Sequence, residues 1–126
     1  MFIGNLDGNA DSATHDSDGN IIKDTYIPFT QYHSAPSDFN TITTSGFHRM
    51  ENSLTNKPSN AGEWGQLIVS HGGGDTITQI YGDYSTGNLY TRSGNPSDVG
   101  GNGAWTSWKR LLTDADTNNF VTLNTD

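Results

Sequence analysis

Turn-forming residues interrupt this chain at intervals of roughly eight to twelve positions, a rhythm that favours short strands over long helices. Between residues 65 and 92 the order runs GQLIVS, HGGGD, TITQIYGDY, STGN and LYTR. Each apolar or β-branched run is short for a stable helix and is bounded by Gly, Asn, Asp or Ser. Strands are therefore expected at 65–70, 76–84 and 89–92, with turns at 71–75 and 85–88. Upstream, residues 46–50 read as another strand, and 54–62 as a loop built on Asn56, Pro58, Asn60 and Gly62. Residues 37–42 can form one helical turn capped by Ser37 or Asp38.

Such a pattern describes a mainly β domain, a small antiparallel sheet or sandwich with one short helical turn. Alternation within the strands is untidy. Leu67, Ile68 and Val69 put apolar groups on both faces, as do Ile80 and Tyr81. A sheet with one wet face alternates more cleanly, so cover on both faces is expected, from loops of the same chain or from neighbouring subunits. Composition points the same way: 56 of 126 residues are Ser, Thr, Asn or Gly, and the apolar share is 31%. That is enough for one domain with a thin core, which gains stability by burying faces against copies of itself.

Charge and cysteine content exclude several classes. The net charge of −8 disfavours nucleic acid and anionic membranes, which require clustered Lys and Arg. Neutral glycans and polar protein surfaces stay open. With no cysteine, disulfides and thiolate metal sites are excluded. No apolar run approaches a signal-peptide core or a membrane span. A protein of this kind working outside a cell is expected to leave by a route such as lysis.

The flanks differ from the centre. Residues 1–24 are rich in Asn, Asp, Gly and Ser, and Asp18-Gly19-Asn20 reads as a turn feeding a strand from Ile21 to Ile27. The stretch DSDGN fails as a calcium loop: Gly19 is fourth from Asp16, and the twelfth position is Ile27 instead of Glu. Residues 113–126 return to Asp, Asn and Thr, with a short strand at 120–123. The chain is expected to be a piece of a longer protein.

The stretch AWTSWKRLL, residues 104–112, is ambiguous. Trp105, Trp108, Leu111 and Leu112 follow the helical stripe, with Thr106, Ser107, Lys109 and Arg110 opposite. Nine residues containing Thr, Ser and two Trp make a poor helix, and the context is β. Local physics leaves both readings standing.

From Asp38 onward the chain carries DFNTITTSGFHR, a loop with Asn56 and Pro58, EWGQLIV, TQIYGDY, LYTRSG and WTSWKRLL. In that order these elements resemble the pyocin-knob-like domain of phage and tailocin tail fibres, over about residues 37–112. The flank ADSATHDSDGNIIKDTY is similar to the linker repeats of such fibres. The resemblance implies that the tryptophan stretch is a closing strand. It implies a connector at 1–27, a knob at 28–112 and the start of another connector at 113–126. It further implies an interleaved homotrimer in a virion tail fibre, joined to other fibre or baseplate proteins. Such a module would help attach the particle to a bacterial cell-surface glycan or outer-surface protein. A structural spacer without ligand is the alternative, and a glycan-degrading fibre enzyme a third reading.

Sugar recognition needs flat aromatic faces beside hydrogen-bonding side chains. Loops and strand ends offer Trp64, Tyr84, Tyr90, Arg92 and Trp105, with Asp83, Asn88 and Asn95 as polar neighbours. Against this, Trp108 and Tyr81 are expected in the core, and Arg92 is expected to pair with a carboxylate of its own or of a neighbouring subunit. Four histidines, His15, His33, His48 and His71, form no H-x-H or H-x-x-x-H pair, so no metal or other cofactor is expected. His71, beside three glycines, is the candidate for a shared ion on a threefold axis. The glycine run lacks the Lys-Ser/Thr of a phosphate loop. Neither the two glutamates, Glu51 and Glu63, nor Asp83 stand at a spacing that selects a glycosidase pair. No nucleophile elbow appears. A non-catalytic protein is expected.

Overall fold

The computed structural model describes residues 13–27, 30–52 and 54–116. The central architecture is one seven-stranded, mostly antiparallel sheet in the order β1 to β6, with β7 also paired to β5. Its strands are β1 (Tyr32–Ser34), β2 (Gly46–Glu51), β3 (Trp64–Ser70), β4 (Ile77–Asp83), β5 (Leu89–Asn95), β6 (Ala104–Trp105) and β7 (Lys109–Arg110). Only the β1–β2 pair is parallel. Short hairpins at 71–76 and 84–88 join β3 to β4 and β4 to β5, as the turn residues there dictate.

Burial alternates strictly along β3, from exposed Trp64 to buried Gly65 and onward. The inner face carries Met50, Leu67, Val69, Ile77, Tyr81 and Tyr90. Among the described residues no second sheet covers it. Loop side chains do: Phe39 and Ile42 from the helical turn Phe39–Thr41 and its cap, then Leu54, Pro58 and Ala61 from the β2–β3 loop. Phe39 meets the Tyr81 ring edge-on at 5.4 Å. Each such aromatic contributes about 1.5–3 kcal/mol by leaving water.

The loop layer is fastened by polar groups read as turn formers in the sequence. Asp38 caps the helical turn, its Oδ1 accepting from the Asn40 N–H at 2.8 Å and from the Asn56 amide at 2.9 Å. Phe39 N–H donates to the Thr55 carbonyl, and Thr55 N–H to that of Ser37. Gln79, fully buried on β4, donates to the Phe39 and Ile42 carbonyls at 2.7 and 3.0 Å. One inward glutamine thus binds the loop layer to the sheet, satisfying carbonyls that would otherwise be orphaned.

Of the two kinds of cover expected for the outer face, the described loops do not provide one: Phe47 is 65% and Ile68 43% exposed in the single chain. Leu67 and Val69 face the core while Ile68 faces out. The apolar residues on both faces are therefore real, and the described residues of the chain cover one of them.

The tryptophan stretch is β, in two pieces. Gly94 pairs with Trp105 and Thr91 with Lys109, so three residues, 106–108, face only two on β5. This one-residue bulge brings Trp105 and Trp108, which a regular strand would point oppositely, onto one side. The helix-like spacing of the two tryptophans is a consequence of the bulge.

The segment before the sheet departs from the reading of its sequence. The strand expected from Ile21 to Ile27 is instead one helical turn, α1 (Ile22–Thr25). Asp16 explains the return of the chain: its carboxylate accepts from the N–H groups of Asp18 and Asn20, from the Asn20 amide and from the Tyr26 phenol. Reaching Asp16 from Tyr26 requires the chain to double back, which a helical turn achieves and a strand does not. These bonds hold the Asp16 carboxyl down at about 2, the Tyr26 bond foremost. The expected strand at 120–123 lies outside the described residues.

Candidate functional site

Of the five aromatic and basic residues singled out in the sequence, two are in the core. Leu89 points outward, so alternation along β5 carries Tyr90 and Arg92 inward, each 6% exposed. They are not at exposed loops or strand ends as expected. Among the described residues Arg92 makes no direct ion pair with a carboxylate. Its Nε donates to Gln79 Oε1 at 2.9 Å, and its guanidinium carbon lies over both the Trp105 and Trp108 rings, 3.8 and 4.6 Å from their centres. Burial lowers its pKa to about 10, opposed by attraction to Asp38. Two electron-rich indole faces take the place of a counter-ion.

Trp108 is half-buried, meeting Phe39 edge-on at 5.8 Å and donating its indole N–H to the Asn56 carbonyl at 2.9 Å. Trp105 lies flat over Gly94, where a Cβ would stand 2.3 Å from the ring. It also borders a shallow cleft of about 260 Å³ with Asn40, Thr41, Pro96 and Asp98. One indole therefore serves both as a plate for Arg92 and as a cleft wall.

Trp64 and Tyr84 stand on the outer face. The ladder continues past β4 through Tyr84 N–H to the Trp64 carbonyl at 2.9 Å, which sets the two rings side by side. Trp64 is 46% exposed and Tyr84 84%. Between them and the next cross-strand row lies a groove of about 540 Å³, lined by Arg49, Trp64, Gly65, Gln66, Gly82 and Tyr84. Register explains the hollow: Arg49 faces Gln66, and Gln66 faces Gly82, which has no side chain. A groove floor forms where the third residue of a row is glycine.

Arg49 leans toward Trp64, its guanidinium 5.9 Å from the ring centre. Its Nε is 3.6 Å from Glu51 Oε2, two residues along the same strand. Glu51 is paired in register with Trp64, and its proximity raises the pKa of the Tyr32 phenol. Aromatic plates, an amide and a guanidinium thus converge on an open groove, a set suited to stacking on a pyranose and bonding its hydroxyls. Arg49, Gln66 and Gly82 were missed from the sequence because three strands contribute them. The interior glycine of TQIYGDY was the available signal.

The polar neighbours proposed from the sequence have local duties. Asp83 is buried, receiving the Gly62 N–H at 2.7 Å and both the N–H and hydroxyl of Ser85 at 2.8 Å. Asn95 bonds the Asp75 carbonyl and the Asn102 N–H. His71 contacts the Gly74 carbonyl at 2.7 Å, closing its own hairpin. His33 and His48 form a stacked pair with Nε2 and Nδ1 2.9 Å apart, and His48 Nε2 lies 2.9 Å from the Thr44 carbonyl. Among the described residues no three His, Asp or Glu side chains group as metal ligands.

No family model matches the chain, and no curated protein matches it. Solved structures share its fold. The R1 pyocin fibre of P. aeruginosa superposes with a TM-score of 0.56 at 22% identity, over 77% of this chain and 25% of that one. An R2 pyocin fibre of P. aeruginosa gives 0.55 at 21% identity, over 78% of this chain and 26% of the other. An N-truncated R2-type pyocin tail fibre gives 0.53 at 21% identity, over 73% and 36%. The chain thus spans about a quarter to a third of the fibres it resembles, and what it shares with them is a fold.

Proposed function

We propose that this chain is a module of a phage or tailocin tail fibre that attaches the particle to a bacterial surface by binding glycan in the Trp64–Tyr84 groove. The observation that carries the reading is the groove itself. Two exposed rings flank a glycine floor beside Arg49 and Gln66, on a fold found in pyocin fibres. An exposed tryptophan that does not fill the core has a surface to offer a ligand. The module works by binding, without catalysis, as part of the virion tail.

Three copies associate in this reading. The outer row of Phe47 and Ile68 is exposed in one chain, and a neighbouring copy would cover it while leaving the groove, further along the strands, free. Fibre and baseplate proteins are the remaining partners.

The test is adhesion. Fluorescently labelled protein is applied to arrayed bacterial surface polysaccharides and to whole bacteria, with its mass followed by light scattering. Trp64→Ala and Tyr84→Ala are expected to abolish retention while preserving the circular dichroism spectrum and the mass of a trimer. A folded trimer that is retained nowhere would establish the spacer reading instead.

A further inference from the structure

We propose that Glu51 sets the charge class of the glycan, confining the groove to neutral sugars; this rests on the groove being a glycan site. Arg49 is the one formally charged residue among those lining the groove. Alone, a half-exposed guanidinium beside a tryptophan would favour a sugar carboxylate, because Arg binds carboxylates in a bidentate fork.

Glu51 removes that preference. It projects from the same face of β2, 3.6 Å from the Arg49 Nε, with its side chain only 14% exposed. Glu51 lies close enough to Tyr32 on β1 to raise the pKa of its phenol, and Trp64 is its cross-strand partner on β3. A carboxylate this buried, beside Arg49, stays at the groove's edge when a ligand arrives. A uronic acid entering the groove therefore meets this fixed negative charge as well as Arg49, in a chain whose net charge is −8. A neutral pyranose meets none of that repulsion. Its C–H face stacks on Trp64, and its hydroxyls take bonds from Arg49 and the Gln66 amide. Glu51 thus discriminates by repelling the wrong ligand, while the rings attract both kinds.

The matched probes are oligogalactosides and oligogalacturonates of equal length, which differ at C6 as alcohol and carboxylate, with manno- and mannuronate oligomers as a second pair. Affinities are measured by calorimetry on the full chain. The unaltered protein is expected to favour the neutral member of a pair by about tenfold or more, a difference equal to about 1.4 kcal/mol. Glu51→Gln should shift that ratio at least about tenfold toward the acid. Glu51→Asp should retain the neutral preference, and Trp64→Ala should remove binding of both members. Equal affinity for both members, or a ratio unmoved by Glu51→Gln, overturns the inference and leaves the groove intact as a glycan site. Absence of any binding, or binding indifferent to Trp64→Ala, overturns the groove reading and this inference with it.

Discussion

Arg92 holds its guanidinium carbon 3.8 Å above the centre of the Trp105 ring. Trp108 also approaches, its ring centre 4.6 Å away, and Gln79 accepts the Nε–H. This inner stack joins β4, β5 and the bulged edge, while Gln79 extends it to the loop layer.

Replacing Arg92 by Lys should therefore destabilise the domain by about 2–4 kcal/mol, because an ammonium neither stacks on the indoles nor reproduces the planar donor. Urea denaturation followed by tryptophan fluorescence reads the loss. A midpoint within error of the parent would show that the stack carries little of the stability.

Two glycines on neighbouring strands should respond oppositely to a single methyl group. At Gly65 a Cβ would lie 2.1 Å from the Gly82 carbonyl oxygen and 2.8 Å from the Tyr81 ring, so Gly65→Ala should lower stability by about 2 kcal/mol or more. At Gly82 the nearest atom is the end of Leu89 at 3.5 Å, so Gly82→Ala should fold with stability changed by about 0.5 kcal/mol at most. It should nevertheless weaken glycan retention by raising the groove floor. Thermal melts and the polysaccharide array together check the pair.

Acid should weaken the fold through His33 and His48. The Thr44 carbonyl can only accept, so His48 Nε2 carries a proton and its Nδ1 accepts from His33 Nε2–H. A second proton on His48 would set two N–H groups against each other. Desolvation lowers both pKa values, and for His48 the neighbouring His33 lowers it further. A folded pKa below the unfolded value of about 6.5 means the unfolded chain binds protons first. The contribution is whole above that pH and is lost as pH falls through the folded values. Stability measured from pH 8 to pH 4.5 should show this decline, and His48→Gln with His33→Gln should flatten it. An undiminished slope in the double variant would assign the decline to other groups.

Removing Ser107 should restore a regular register along the edge and leave Trp105 and Trp108 two residues apart on the same face. The cooperative unfolding transition should survive in heating scans, and its loss would show that the bulge itself is required. Ser107→Ala, which keeps the residue count, should melt with the parent.

The strands were legible because turn residues bracket each one and because Leu67 and Val69 must share a face. The helical turn at Phe39 was legible from Asp38. The bulge was not, since Trp105 and Trp108 spaced three apart mimic a helix as well as they mark an extra residue in a strand. Position along β5 misled in the same way: Tyr90 and Arg92 begin beside a turn yet alternate inward once Leu89 faces out. Half the groove was visible as Trp64 and Tyr84, residues beside turns. Arg49, Gln66 and Gly82 came together only through a three-strand register, which pairwise sequence spacing does not encode.

The parallel pairing of β1 with β2 reverses the place where the chain departs. Counting directions across the sheet, β1 and β7 point the same way along its two sides. The backbone consequently enters at one end of the strands and exits at the other. Tension applied through the preceding and following segments runs lengthwise, sliding strands against one another and loading many rungs simultaneously. Had β1 been antiparallel, the same pull would peel rungs apart singly. In the tail fibre proposed above, tension between particle and bacterium would meet a link whose hydrogen bonds must break together.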